Sequence, residues 1–145
     1  MEQITIRKLD SLTGADISGL VMESSKEGFQ HMKRLVDEYE SGTNRFNKRG
    51  EALFIACEHE RIIGIGGLNQ TTKDGIGRVR RLYISQNNRK RGIGRMIMNR
   101  IIEEAKQHYQ MIELKTDHPA ADTFYRSLGF SVRDNDTNVS HYLIL

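Results

Sequence analysis

Behind a short basic turn that carries Gly92 and Gly94, Ile93, Ile97, Ile101 and Ala105 recur at every fourth position, joined by Met98 and Ile102. The spacing predicts one helix with a buried stripe, running to about Tyr109. Immediately before the turn, Ile76-Gly77-Arg78-Val79-Arg80-Arg81-Leu82-Tyr83-Ile84 has the β-branched and aromatic content of a strand, although arginines are unusual there. After the helix, Met111-Ile112-Glu113-Leu114-Lys115-Thr116 reads as a second strand. A strand, a helix and a strand in this order predict a right-handed crossover between parallel neighbours. The chain is thereby committed to a sheet with a helix laid across it.

The remaining pattern extends that sheet. Ile4 to Leu9 alternates and predicts a first strand, and Thr13 and Asp16 are candidate caps for the helical region behind it. Leu20, Val21, Phe29, Met32, Leu35 and Val36 support one or two helices ending near Tyr39, followed by a polar loop from Glu40 to Glu51. Leu53–Cys57 and Ile62–Leu68 are short apolar runs separated by Glu58-His59-Glu60-Arg61, which predicts an antiparallel hairpin. Pro119 suits the first turn of a further helix, Gly129 suits its end, and Ser140–Leu145 reads as a last strand. Mixed strands and helices make an α/β layer fold.

Composition narrows the function. At 145 residues the chain suits one domain, 1–145, able to bury about two-thirds of its unfolded surface. Its formal net charge of +3 is too small to signal nucleic-acid binding by itself. One cysteine, Cys57, excludes an internal disulfide and a cysteine-rich zinc site, and reads as a buried strand residue. His31, His59, His108 and His141 lack metal-ligand spacing. The start, Met1-Glu2-Gln3-Ile4, does not read as a signal peptide, and no apolar run approaches the roughly 18 residues of a membrane span. These features predict a cytoplasmic protein with no membrane partner and no metal.

Arg89, Lys90, Arg91 and Arg95 crowd a helix start that is already electropositive. Gly92 and Gly94 let a ligand approach the backbone, and successive N–H groups there suit an anion such as a pyrophosphate. The Walker spacing is absent, and Ile97 stands where the dinucleotide fingerprint needs its third glycine. The plainer alternative is a solvated basic turn.

The turn resembles the acetyl-CoA loop of the GNAT N-acetyltransferase superfamily, Arg/Gln-x-x-Gly-x-Gly/Ala, with Arg89, Gly92 and Gly94 in the defining positions. Leu82-Tyr83-Ile84 matches the family's strand end, and Ala120–Phe130, "AADTFYRSLGF", resembles its Ala-x-x-Phe-Tyr-x-x-x-Gly-Phe segment. The resemblance implies a mixed, mostly antiparallel sheet of six to seven strands with helices on both faces. It also implies transfer of an acetyl group from acetyl-CoA directly to an amine. The pyrophosphate would rest on backbone amides from Lys90 to Arg95, including Ile93, with charge added by Arg89 and Arg91. The pantetheine arm would pair with the backbone of Leu82, Tyr83 and Ile84 as an added strand. The Leu82 N–H would bond the thioester oxygen, and Tyr125 would be the general acid for the leaving thiolate.

Several positions keep alternatives. Tyr125 and Phe124 could be core aromatics, and Phe124 reads mainly as such. His118 stands where relatives often carry an asparagine that bonds pantetheine, and is otherwise a loop residue. The family's strand carboxylate is missing from Gly77–Arg81, which leaves the base unnamed, and Glu58, His59 and Glu60 read as solvated. Arg78 and Arg80 share one strand face with Arg81 opposite. They could bind an acidic substrate, a 3′-phosphate of the cofactor, or nothing. The Glu40–Glu51 loop is expected to border the acceptor pocket. A monomer and a homodimer are both open. The competing readings are a non-catalytic acyl-CoA-binding or sensor domain and, last, a nucleic-acid module lacking an aromatic platform.

Overall fold

A computed structural model describes residues 3–145; Met1 and Glu2, part of the start that does not read as a signal peptide, lie outside the described residues. The strands are β1 (Thr5–Lys8), β2 (Ala52–Glu58), β3 (Arg61–Gln70), β4 (Ile76–Ile84), β5 (Met111–Leu114), β6 (Ser131–Val132) and β7 (His141–Ile144). They form one seven-stranded sheet in the order β1-β2-β3-β4-β5-β7-β6. Only β4 and β5 run parallel; the other neighbours are antiparallel. The helices are α1 (Ser18–Lys26), α2 (His31–Ser41), α3 (Ile93–Lys106) and α4 (Pro119–Ser127).

Both faces of the sheet are covered, so its central strands read as unbroken apolar runs. Along β2, Ala52, Phe54 and Ala56 join Ile97, Met98 and Ile101 of α3 in one buried cluster. The alternate residues Leu53 and Ile55 join Leu20, Met32 and Leu35 of α1 and α2 in the other. The glycines of β3 let the layers approach. A Cβ on Gly66 would stand 2.8 Å from the Ile97 side chain and 3.1 Å from that of Leu82. Gly67, on the opposite face, leaves the room taken by the buried Phe46 ring.

Several expectations shift by local chemistry. Thr13 caps nothing in the helix; Asp16 instead accepts from the Ser18 N–H at 3.1 Å, and Ile17 is the N-cap. The β2–β3 hairpin turns on His59 and Glu60, both at positive φ. Its flanking Glu58 is not solvated, because the Arg91 guanidinium grips it at 3.0 and 2.6 Å. Helix α3 stops at Lys106 rather than Tyr109, whose hydroxyl donates to the Gly50 carbonyl at 2.7 Å. Cys57 is only partly buried. Strand β5 ends at Leu114 rather than Thr116, whose N–H bonds Ser140 Oγ at 2.8 Å.

The Gly66 packing predicts that Gly66→Val overpacks the β3–α3 contact by about 1–3 kcal/mol. Thermal unfolding should show a fall in Tm of several degrees; an unchanged Tm would contradict the contact.

Candidate active site

Parallel pairing of β4 with β5 covers Ile76–Met111, Gly77–Ile112 and Arg78–Glu113, and then stops. Strand β4 continues to Ile84 with no ladder partner on that side, although backbone groups ordinarily find one. The strands part at a bulge. Pairing with β3 steps from Arg80–Gly67 to Tyr83–Ile65, so Arg81 and Leu82 together oppose Gly66. Arg81 takes φ +62°, outside the ladder. A bulge bends its strand and increases the local twist. It also corrects the expected alternation: Arg81 is not opposite Arg78 and Arg80 but reaches Glu38 on α2 at 2.7 Å.

The opening is a groove of about 1140 Å³. Leu82, Tyr83, Ile84, Arg89, Lys90, Gly92, Ile93, Gly94, Arg95, His118 and Tyr125 all line it. Arg91 does not, being held by Glu58 and by Asn88 at 2.8 Å. The Glu40–Glu51 loop does not border the groove either; Asn44 bonds Asn69 reciprocally at 3.0 Å and Phe46 is buried. Phe29, His31 and Arg34, at the α1–α2 junction and on α2, take that place.

At one end of the groove, a turn through Gln86–Asn88 leads to α3. Lys90 and Gly92 adopt φ of +66° and +80°. At Gly92 that conformation falls to the residue that tolerates it best. The first bond of α3 runs from Met96 N to Gly92 O at 3.0 Å, and no side chain caps the helix. Among the described residues, the amides of Gly92, Ile93, Gly94 and Arg95 have no acceptor. They are the free donors of a helix start, with its positive dipole end. A Cβ on Gly94 would stand 3.3 Å from the Phe124 ring, so α3 and α4 meet closely beside them.

Two of the four crowded cations, Arg89 and Arg91, are paired with carboxylates. The Arg89 guanidinium donates to Glu27 at 2.8 and 2.7 Å and to the Ile84 carbonyl at 3.1 Å. It also lies over the Tyr83 ring. Arg95 bonds Ser127 Oγ at 2.8 Å, while Lys90 makes no ion pair among the described residues. Glu27 also accepts from the Tyr83 hydroxyl, and Glu23 accepts from the Gln86 N–H at 3.1 Å. The end of α1 is thus fastened to the turn between β4 and α3. Arg89 beside Glu27 holds its carboxyl below the ordinary carboxylate range, against the opposing effect of burial. Burial and the bond to Glu27 push the Tyr83 phenol up.

Tyr125 is buried between Phe124 and Phe130, and burial alone raises its phenol well above the ordinary value. Among the described residues, no hydrogen bond engages its hydroxyl. Its helix is anchored by a chain in which His141 Nε2 meets Asp122 Oδ1 at 2.7 Å and His141 Nδ1 meets Ser140 Oγ at 2.8 Å. His118 is the N-cap residue of α4, and its ring lies 6.3 Å from that of Phe29 across the groove mouth.

His31 is the chemistry-bearing residue that sequence reasoning missed. Its ring stands 5.6 Å from Tyr83 and 5.5 Å from Phe29. Desolvation lowers its pKa below the ordinary imidazole value, opposed by a backbone hydrogen bond to Leu82. Nothing in the sequence marked it, since it falls inside the apolar periodicity of α2. Among the described residues, no group of three or more His, Cys, Asp or Glu side chains could hold a metal ion. Among the same residues, no helix is long and apolar enough to cross a membrane.

A family model described as the acetyltransferase (GNAT) domain matches residues 49–132. The uncharacterized N-acetyltransferase YsnE of Bacillus subtilis (strain 168) is 27% identical over 132 residues, covering 85% of this chain and 83% of YsnE. A crystal structure from Exiguobacterium sp. 255-15, assigned as an acetyltransferase, superposes with a TM-score of 0.89 at 29% identity, covering 98% of this chain and 93% of that one. A GNAT family acetyltransferase of Elizabethkingia anophelis with acetyl-CoA bound shares the fold, with a TM-score of 0.68 at 17% identity over 98% of both chains.

The Glu27 fastening predicts an acid-sensitive fold. A carboxyl with a depressed folded-state value stabilises the fold above its unfolded value of about 4.5, and that contribution is lost as pH falls through the folded value. Thermal melts from about pH 7 to pH 3 should show a lower Tm for Glu27→Gln at neutral pH and a shallower decline on acidification. Parallel curves for the two proteins would contradict it.

Proposed function

The chain belongs to the GNAT acetyltransferase family, and on that footing we propose that it transfers the acetyl group of acetyl-CoA directly to an amine, acting as a single domain over residues 1–145. The observation that carries the reading is the unpaired side of β4 running toward free amides at the start of α3 within one groove. That arrangement fits an acyl-CoA in two ways. A strand side left without a ladder partner suits an extended amide-bearing arm that adds as a strand. Free amides at a helix start suit a diphosphate. When bound, acetyl-CoA supplies the activated acyl group; every other task falls to the chain.

Gly92, Ile93, Gly94 and Arg95 present their N–H groups to the diphosphate, with Lys90 as countercharge. Arg89 and Arg91 act mainly by fixing the turn, because their charge is matched by Glu27 and Glu58. Leu82, the second residue of the bulge, offers its N–H to the thioester oxygen, where such a donor is worth about 3 kcal/mol as negative charge develops. His118 borders the arm. The amine must lose a proton to attack, and β4 carries no carboxylate near the bulge. His31 takes that role: a neutral imidazole has one N–H to donate and one lone pair to accept a proton. Tyr125 donates a proton to the departing sulfur. Its burial keeps the phenol protonated at neutral pH, while the same dry surroundings disfavour a free thiolate.

Acetyl-CoA at about 100 times its Kd should stabilise the protein by about 2.7 kcal/mol, raising Tm by several degrees. Gly92→Val combined with Gly94→Val should remove that rise. With an accepted amine, Tyr125→Phe should lower kcat by about 100-fold and leave the rise intact. Activity should climb with pH through an inflection below the ordinary imidazole value of about 6.5, because His31 must be neutral. His31→Gln should lose about 100-fold at neutral pH together with that inflection. CoA release across a panel of amines provides the assay. Tight acetyl-CoA binding without turnover would instead favour an acyl-CoA-binding or sensor domain.

A further inference from the structure

Away from the α3 end, the same groove is lined by Arg34, Arg78, Arg80, Arg81 and Lys115. Partners account for some of this charge. Arg78 donates to Glu113 at 2.7 Å and to the Asn138 carbonyl at 2.8 Å. Arg81 donates to Glu38, and Lys115 pairs with Asp117 at 3.0 Å. The Arg80 and Arg34 side chains have neither an ion pair nor a hydrogen bond among the described residues.

The carboxylates whose charge is felt at Arg80 are Glu38 and Glu51. Glu38 is bonded to Arg81, and Glu51 accepts from the Asn69 side chain at 2.9 Å and from the Gln70 N–H at 3.1 Å. Arg80 is exposed to the groove and stands among like charges; desolvation together with Arg78 and Arg81 lowers its guanidinium pKa. Within the same cluster Arg81 Nε is buried without a hydrogen-bond partner. Buried donors normally find acceptors, and a groove lined by one sign of charge attracts an ion of the other. Among the described residues, no acceptor meets the Arg81 donor and no carboxylate pairs with Arg80 or Arg34.

Position narrows the missing partner to the acceptor. Arg80 lies two residues before Leu82, at the edge of the bulge, and lines the same groove. Arg34 is close enough to His31 for its charge to depress the imidazole. We propose that the acceptor is a small amine bearing a carboxylate or phosphate a few bonds from its nitrogen, with Arg80 and Arg34 receiving the anion and His31 facing the amine. The proposal rests on the transferase reading and names its substrate class. The bidentate fork of Arg80 suits either oxyanion.

The test measures binding, so it does not depend on turnover. β-Alanine is compared with its amide, and O-phosphoethanolamine with ethanolamine, by calorimetry on the free and the CoA-loaded protein. Wild type should bind at least one anionic amine about 10-fold or more tighter than its neutral counterpart, as a charge-assisted hydrogen bond allows. The carboxylate and phosphate arms distinguish the two anion sources. Arg80→Gln should collapse the preference to within about 2-fold, and Arg80→Lys should restore part of it. The acetyl-CoA-induced Tm rise should persist in both variants.

Equal binding of charged and neutral amines, or a preference that survives Arg80→Gln, would overturn the proposal. So would Arg80→Gln weakening acetyl-CoA as much as it weakens the anionic amine, which would assign Arg80 to a cofactor phosphate. Failure of acetyl-CoA to stabilise wild type would sink the transferase reading instead, and the free-protein arm would still decide the anion preference.

Discussion

The parting of β4 from β5 after the Arg78–Glu113 pair is the constraint on which the site depends. Arg78 ties that last pair to β5 and to the Asn138 carbonyl. Three residues further on, the bulge at Arg81 and Leu82 turns β4 away. A sheet that stayed paired would have no groove, and β4 would have no main-chain groups left to offer. The exposed backbone is tolerated because both faces of the sheet remain packed around it.

Electrostatics then fix the walls. Basic residues at a helix start oppose the dipole, and the fold answers with Glu27 from the end of α1 and Glu58 from the β2–β3 hairpin. Each staple converts an apparent anion-binding arginine into a strut. On the proposed reading, anion recognition at the turn falls chiefly to amides, which are fixed in the backbone and cannot rotate away. At the opposite end the balance is reversed, since Arg80 and Arg34 have no carboxylate of their own.

Most of the architecture was legible in the sequence, because it was written in periodicity. The every-fourth-residue stripe behind Ile93 and the apolar runs around His59 and Glu60 located α3 and the hairpin. Pro119 and Gly129 bracketed α4. One loop motif and one tyrosine segment pointed to many of the residues that line the groove, Arg91 excepted. What was not legible depended on contacts distant in sequence. Arg89 and Glu27 are 62 residues apart, and Arg91 and Glu58 are 33 apart. The bulge reversed the expected side of Arg81, because a period-2 rule holds only while the ladder is regular. His31 was hidden for a similar reason: within α2 it looks like any helix residue, and only packing brings it against Tyr83.

The central claim is that free main-chain amides of β4 and of the α3 start receive acetyl-CoA. Amide hydrogen exchange resolved to single residues, with and without acetyl-CoA, tests it most directly. The account predicts new protection at Leu82 and at Gly92–Arg95. Unchanged exchange at these amides under saturating acetyl-CoA, or protection confined to other parts of the chain, would contradict it.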